Sequence, residues 1–363
     1  MRILLVAGSG WRAAAPEVAR AAARAWSSAA PRDAVVAQAL ADGGPGFVEV
    51  ARPLMAADPG LLVLETALAP EGPAGAGTTD LVAGTSLELG RMLGAALATD
   101  ARTIALGLGP APVHGWADGG AGLLVGLAEV LGVPVPGRDR LVAGGAGLGG
   151  VRATDLPDVA RLRRALGARD VVGAYRSSDP VLGLAGLAAG LAEARRLDPV
   201  VAQDLEHNLG DLAHALAALA GLAGRDLLAG SGPAASVRAL GALPGAGGGA
   251  ALVLHALGVR LAPGLRVVAD RAGLDAAVDS SDVVVVVVPA VDGGEMHDGT
   301  VALVGELALE AAVPVVVVAG HCVAGRREWA AAGISAVYEE PRRSAAASDV
   351  LGVVPRVART WSR

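Results

Sequence analysis

The chain contains no lysine: all 30 basic residues among its 363 are arginine. A lysine Schiff base and a lysine phosphate anchor are both excluded, and a cationic contact to a ligand must come from a guanidinium. Aromatic residues make up 2% of the sequence, so stacking platforms for nucleobases are scarce and the core must be packed from small aliphatic side chains. No run of like charge occurs and the formal net charge is −6, which argues against a nucleic-acid partner. The single cysteine, Cys322, rules out an internal disulfide framework and points to a reducing compartment. It lies just after a buried stretch and reads as an inert core thiol. The six histidines show no metal-binding spacing with it; His207 and His214, seven residues apart, read as solvated residues of a helix. The valine run near residue 285 is far shorter than the roughly 20 residues of a spanning helix. The N-terminal MRILLVAGSG is a first strand running into a glycine turn and does not read as a signal peptide. No membrane partner is expected, and a cytoplasmic location follows by default.

What is present in quantity is alanine, valine, leucine and 52 glycines, in a sequence 53% hydrophobic. That is a globular chain long enough for two domains. Its most informative stretch is 282–320, DVVVVVVPAVDGGEMHDGTVALVGELALEAAVPVVVVAG. Six consecutive β-branched residues, Val283 to Val288, without polar alternation predict a strand buried on both faces of a parallel sheet. A loop is expected from Pro289 to Gly299. Thr300 is expected to cap a helix carrying Val301, Leu303, Val304, Leu307 and Leu309, and Val315 to Val318 to form the next strand. In open α/β sheets ligands collect beyond the carboxyl ends of the strands, which places Asp292, Glu295, His297 and Asp298 where chemistry is expected.

Other segments repeat the pattern. Ile3 to Val6 reads as a strand entering Gly8-Ser9-Gly10-Trp11-Arg12, with a helix starting near Pro16; strand, glycine turn and helix N-terminus together can receive an anion. Gly8, Gly10 and Ala13 fit a G-x-G-x-x-A fingerprint, although no second strand ending in an acid is evident about 20 residues later. Ala41-Asp42-Gly43-Gly44-Pro45-Gly46 is a tight turn carrying one carboxylate, a surface turn on local grounds. Residues 69–80 read as a loop or linker. Thr103 to Leu106 is a strand entering a glycine-rich loop that spans Gly107, Gly109, Asp118, Gly119 and Gly120 and precedes a helix from Leu123. Val181 to Arg196 and Val201 to Leu222 read as helices and Arg266 to Ala269 as a strand, while 137–170 reads as loop-rich. Pro244-Gly245-Ala246-Gly247 opens a glycine cluster whose simplest reading is close packing of a helix.

Read together, these pieces resemble the glycerate kinase family, whose members phosphorylate glycerate at the 2-hydroxyl with ATP. Three stretches carry the resemblance. Ala41-Asp42-Gly43-Gly44-Pro45-Gly46 is similar to the family's A-D-G-G-E-G turn. Gly107-Leu108-Gly109 followed by Asp118-Gly119-Gly120-Ala121-Gly122 is similar to its G-x-G-G-S-A-T-N-D-G-G-A-G loop. The series from Pro244-Gly245-Ala246-Gly247 through Leu274-Asp275, Ser281-Asp282, Asp292 and Val313-Pro314 to Gly333-Ile334-Ser335-Ala336-Val337 follows the family's C-terminal third in order and spacing. There are departures. The family's opening D-S-F-K corresponds to Gly8-Ser9-Gly10-Trp11-Arg12, so an acid is lost and arginine replaces lysine. Pro45 replaces the glutamate of the first turn, and Val287 to Ala290 stand where the family has G-E-G-R.

The resemblance implies an α/β fold: a doubly wound, Rossmann-like parallel sheet domain built from residues 1–50 and 240–363, a second α/β domain inserted over 51–239, and a ligand cleft between them. It implies ATP-dependent phosphorylation of glycerate or a similar small hydroxy acid, with ATP and Mg²⁺ as cofactors, a small-molecule substrate and a nucleotide as partners, and room for a homo-oligomer. The alternative it leaves is a weakened or inactive member that only binds a small anion. Asp42, Asp118 and Asp292 are the expected catalytic acids. Arg12, Gly43, Gly44, Gly107, Gly109, Gly119, Gly120, Gly245, Gly247, Glu295, His297 and Asp298 are expected around substrate and phosphate, with Asp292 and Asp298 as the acids available to Mg²⁺.

Overall fold

The computed structural model describes residues 1–65, 78–110, 115–194, 196–219 and 233–362. In chain order its strands are β1 (Arg2–Ala7), β2 (Ala34–Ala39), β3 (Leu61–Glu65), β4 (Thr103–Leu108), β5 (Asp170–Tyr175), β6 (Arg260–Pro263), β7 (Val283–Val291), β8 (Val315–Cys322) and β9 (Ile334–Glu339). They form two sheets, in the orders β2-β1-β7-β8-β9 and β3-β4-β5-β6. The chain divides accordingly into two compact units. The first comprises Met1–Leu54 and Pro263–Arg363, the second Met55–Ala262. The return to the first unit therefore comes at Pro263 rather than near residue 240, and the glycine cluster at 245–249 belongs to the second unit, because its backbone bonds are made to loops of that unit.

In the first unit the valine strand stands between β1 and β8, parallel to both, with Ile3 beside Val283 and Val284 beside Val315. Val284 to Val288 are 0% exposed. Alternate valines, Val283, Val285 and Val287, pack with Trp26, Val18, Val354 and Val357 from the helices Ala15–Ala29 and Val354–Trp361. Val284, Val286 and Val288 face the other way and are equally enclosed. Each such side chain contributes about 1.5–3 kcal/mol relative to an exposed one, which explains the absence of polar alternation.

The second unit has β3, β4 and β5 mutually parallel, with β6 beside β5. Its helices Leu87–Ala96 and Ala121–Val130 meet backbone to backbone. A Cβ at Gly90 would lie 2.0 Å from the Leu123 carbonyl oxygen, and one at Gly126 2.2 Å from that of Leu87. Among the described residues no helix is long and apolar enough to cross a membrane.

Several local expectations change. Arg266 to Ala269 lie inside the helix Gly264–Ala272, which buries Leu265, Val268 and Ala269 at helical spacing. β2 and β6 were not expected: β2 is an edge strand with a half-exposed pattern, and β6 is a four-residue segment. Of Val181 to Arg196 only Leu187–Glu193 is helical, since Pro180 bridges Pro244 and Gly183 takes φ +109. The stretch 137–170 holds the helix Val159–Leu166, capped by Asp158. Pro289 to Gly299 is not all loop, because β7 extends to Val291 and Gly293–His297 is helical. Thr300 is the first helical residue after Gly299, not the cap. The long alanine-leucine helix spans Pro199–Leu219 among the described residues and carries exposed His207 and His214. Most of the expected linker at 69–80 lies outside the described residues, and Thr78–Ala83 is helical. Cys322 ends β8 half-buried, with burial first among the causes that push its thiol up, so it does not act as a ready nucleophile.

Gly90→Ala tests the helix contact. The added methyl has no room before the Leu123 carbonyl, so the second unit is expected to lose about 1–3 kcal/mol. Chemical denaturation followed by a probe in that unit measures the loss.

Candidate functional site

The order of the five-stranded sheet reverses at β1: the chain moves to β2 on one side and returns through β7 on the other. Such a switch point is where loops at the carboxyl ends of strands part and leave room for a ligand. Three loops gather there. Gly8, just past β1, lies against the start of the helix Thr300–Glu310, where a Cβ would come 2.6 Å from Thr300 Oγ1. Ser9 donates from Oγ to Asp42 Oδ2 at 2.7 Å, joining the loop after β1 to the loop after β2. Gly10 adjoins Pro289 near the end of β7.

Asp42 is not on a surface turn. It is 6% exposed, its Oδ1 accepts the Gly44 N–H at 2.9 Å, and Gly43 and Gly44 are buried with it. Gly43 and Gly46 have φ of +91 and +87, which suits glycine and lets the turn close. Gly264 completes the enclosure: a Cβ there would fall 2.3 Å from the Asp42 carbonyl carbon.

Asp292 leaves β7 exposed and caps Gly293–His297, its Oδ1 accepting the Glu295 N–H at 2.9 Å. Glu295 in turn accepts the Val301 N–H at 2.9 Å, satisfying one open donor at the start of the next helix. Asp292 Oδ2 carries no hydrogen bond among the described residues. His297 is exposed, Asp298 half-buried, and Arg12 exposed on the segment between β1 and the first helix.

The acid of the second unit has different surroundings. Asp118 is 0% exposed. Its oxygens accept the Ser86 N–H (2.8 Å), the Ser86 hydroxyl (2.9 Å), the Gly120 N–H (3.0 Å) and the Gly122 N–H (3.1 Å). Ser86 Oγ also accepts from the Leu123 N–H. Asp118 thus occupies the N-terminus of the helix Ala121–Val130 and ties it to Leu87–Ala96. Burial pushes its carboxyl above the ordinary value, against the opposing pull of the bonds from Ser86, Gly120 and Gly122.

The surrounding glycines are joined to one another. Gly119 N–H donates to Gly248 O, Gly247 N–H to Gly109 O, and Gly245 N–H to Asp179 O, at 2.9, 2.7 and 2.7 Å. Trp116 Nε1 donates to Gly247 O at 3.2 Å. Gly107 lies within β4, paired to both neighbouring strands. The amides of Gly119, Gly120, Gly245 and Gly247 therefore have internal partners.

The structure brings Asp42 and the Asp292–Asp298 segment to one end of one sheet, and it places Asp118 with Gly107, Gly109, Gly119, Gly120, Gly245 and Gly247 in the other unit. Two polar residues were not singled out from sequence. Ser9 was legible only as a small polar residue between glycines. Ser86 stands just before the helix Leu87–Ala96, three positions before the buried Leu89, and nothing local connects it to Asp118, 32 residues on.

The fold and these loops define an α/β protein of two units with ligand-type loops at the carboxyl ends of parallel strands. The glycerate kinase family description matches residues 63–357, most of the chain, and the chain belongs to the glycerate kinase family. Uncharacterized proteins of Mycobacterium bovis and Mycobacterium tuberculosis are each 27% identical over 381 aligned positions, covering 99% of this chain and 91% of theirs. A Salmonella typhimurium LT2 crystal structure described as a "putative glycerate kinase 2" superposes with a TM-score of 0.69 at 21% identity, over 99% of this chain and 97% of that one. At that identity the likeness is one of fold.

Asp118→Asn tests the buried cap. The folded state holds a proton on this carboxyl more tightly than the unfolded chain does. That contribution is complete below the ordinary carboxylate range and is lost as pH rises through the raised value. The amide variant sets an NH₂ group against backbone donors. It is expected to lower stability by about 1–3 kcal/mol and to lose that part of the pH dependence, read by denaturation across acid to neutral pH.

Proposed function

We propose that the protein transfers the terminal phosphoryl group of ATP to a hydroxyl of glycerate or a closely similar small hydroxy acid, in the manner of a glycerate 2-kinase. The observation that supports this most is the meeting of the loops after β1, β2 and β7 at the switch point, with Asp42 and Asp292 on two of them, in a chain of the glycerate kinase family.

Phosphoryl transfer asks the protein for positioning, charge compensation and an acceptor for the hydroxyl proton. Asp42 is assigned the proton. Asp292, exposed and with one oxygen unengaged, is assigned to Mg²⁺, with Asp298 six residues further on. Among the described residues no three His, Cys, Asp or Glu side chains group to hold a metal. This donor set still fits, because Mg²⁺ is commonly held by one or two carboxylates together with substrate phosphates and water. Bound there, the ion supplies charge neutralisation at the phosphates. Arg12 offers a guanidinium to phosphate oxygens from the loop after β1. Glu295 keeps the 292–300 segment in shape through the Val301 amide, and His297 stands exposed on it. Asp118 is assigned a positioning role: enclosed by the Ser86, Gly120 and Gly122 donors, it shapes its loop and does not touch substrate.

One observation favours a second reading, binding without turnover. Of the eight glycines expected around substrate and phosphate, Gly119, Gly120, Gly245 and Gly247 have their amides bonded internally, so those four N–H groups are not available to a phosphate.

Purified protein with glycerate and Mg²⁺-ATP is expected to yield phosphoglycerate. Asp292→Asn is the matched control, since asparagine keeps the helix cap while removing the charge. It is expected to lower kcat/KM about 10–100-fold with little change in stability. No turnover of glycerate or related hydroxy acids by the folded protein would sink the kinase reading, and calorimetric binding of Mg²⁺-ATP would then support the second.

A further inference from the structure

We infer that Ser9 is the group through which Asp42 reaches the reacting hydroxyl, an inference that rests on the assignment of the proton to Asp42. The difficulty it resolves is steric. Asp42 leaves 6% of its surface exposed, and both oxygens are engaged, Oδ1 by the Gly44 N–H and Oδ2 by the Ser9 hydroxyl. Its backbone is closed off by Gly264. A hydroxyl flanked by the rest of a hydroxy acid cannot approach a carboxylate so enclosed.

Ser9 can be approached. It is half-buried on the loop leaving β1, beside the Gly8 contact with Thr300. A hydroxyl that gives its one proton to a carboxylate keeps two lone pairs as acceptors. At 2.7 Å the Ser9–Asp42 bond is charge-assisted, so its direction is fixed and the acceptor side of Ser9 is turned away from Asp42.

The step balances without a further reagent. The substrate oxygen forms its bond to the terminal phosphorus of the nucleoside triphosphate as the bond from that phosphorus to the bridging oxygen of the diphosphate breaks. The hydroxyl proton passes to Ser9 Oγ while the Ser9 proton passes to Asp42 Oδ2. Ser9 ends unchanged and Asp42 ends protonated, to be reset by loss of that proton to water after product leaves. Glycine at positions 8 and 10 suits this role by letting the loop pass close to Thr300 and Pro289.

The test compares wild type, Ser9→Ala and Ser9→Thr as full-length proteins at saturating Mg²⁺-ATP. Ser9→Ala is expected to lower kcat about 10²–10³-fold, with KM for the hydroxy acid within about threefold and Tm within about 2–4 °C. Ser9→Thr, which keeps the hydroxyl, is expected to recover kcat to within about tenfold of wild type. An active wild type with a Ser9→Ala variant equally fast overturns the relay alone, as does a rise in KM with kcat preserved. If the alanine variant does not fold, the threonine variant decides: a folded protein within about tenfold of wild type supports the relay, and a larger loss overturns it. An inactive wild type overturns the kinase reading and the relay with it.

Discussion

A parallel sheet buried on both faces has no polar surface along its length, and that constraint decides where chemistry can occur in the first unit. Val283 to Val288 run between β1 and β8 with no side chain free to meet a ligand. Every functional group must then sit where the strands end and backbone donors become available. The reversal of strand order at β1 selects which end loops converge. The contacts of Gly8 with Thr300 and of Ser9 with Asp42 follow from that convergence. Placing a charge within the valine run would require burying it without a partner, at a cost far above the margin by which a domain is stable.

The second unit meets a related constraint by other means. Its glycines allow the helices Leu87–Ala96 and Ala121–Val130 to touch through their backbones, but so close a contact leaves helix N-termini buried with open N–H groups. Asp118 and Ser86 satisfy them together. A helix N-terminus that on pattern alone looks available to phosphate is therefore already filled by a carboxyl group of the protein's own. This is why a buried acid beside a glycine loop is weak grounds for assigning catalysis.

The same distinction governs how much was legible in the sequence. The α/β fold could be read from Val283 to Val288, because an unbroken β-branched run has one good structural explanation. β2 could not, because Ala34–Ala39 is an edge strand whose half-exposed residues carry little periodic signal. Arg266 to Ala269 misled because four residues with two valines fit a strand locally, whereas the burial of Leu265 and Val268 supports a helical face only once the sheet is in place. The loop acids were visible as residue types. Their surroundings were not, since Ser86 and Asp118 are 32 residues apart and Ser9 and Asp42 are 33 apart, and no local pattern encodes those pairings.

Asp42, Asp118 and Asp292 all accept backbone N–H groups, so capping alone does not separate structural from chemical roles. What separates them is the second oxygen. In Asp118 both oxygens face protein donors and no surface remains exposed. In Asp292 one oxygen caps a five-residue helix and the other is open on an exposed residue. In Asp42 the second oxygen is covered by a hydroxyl that is itself reachable. A carboxylate held by one backbone bond is oriented at little entropic cost, and its second oxygen can face a cation, as in Asp292, or a hydroxyl, as in Asp42. A carboxylate held by four donors is oriented equally well but has nothing left to offer. By that criterion Asp42 and Asp292 suit chemistry, and Asp118 suits the loop that it holds.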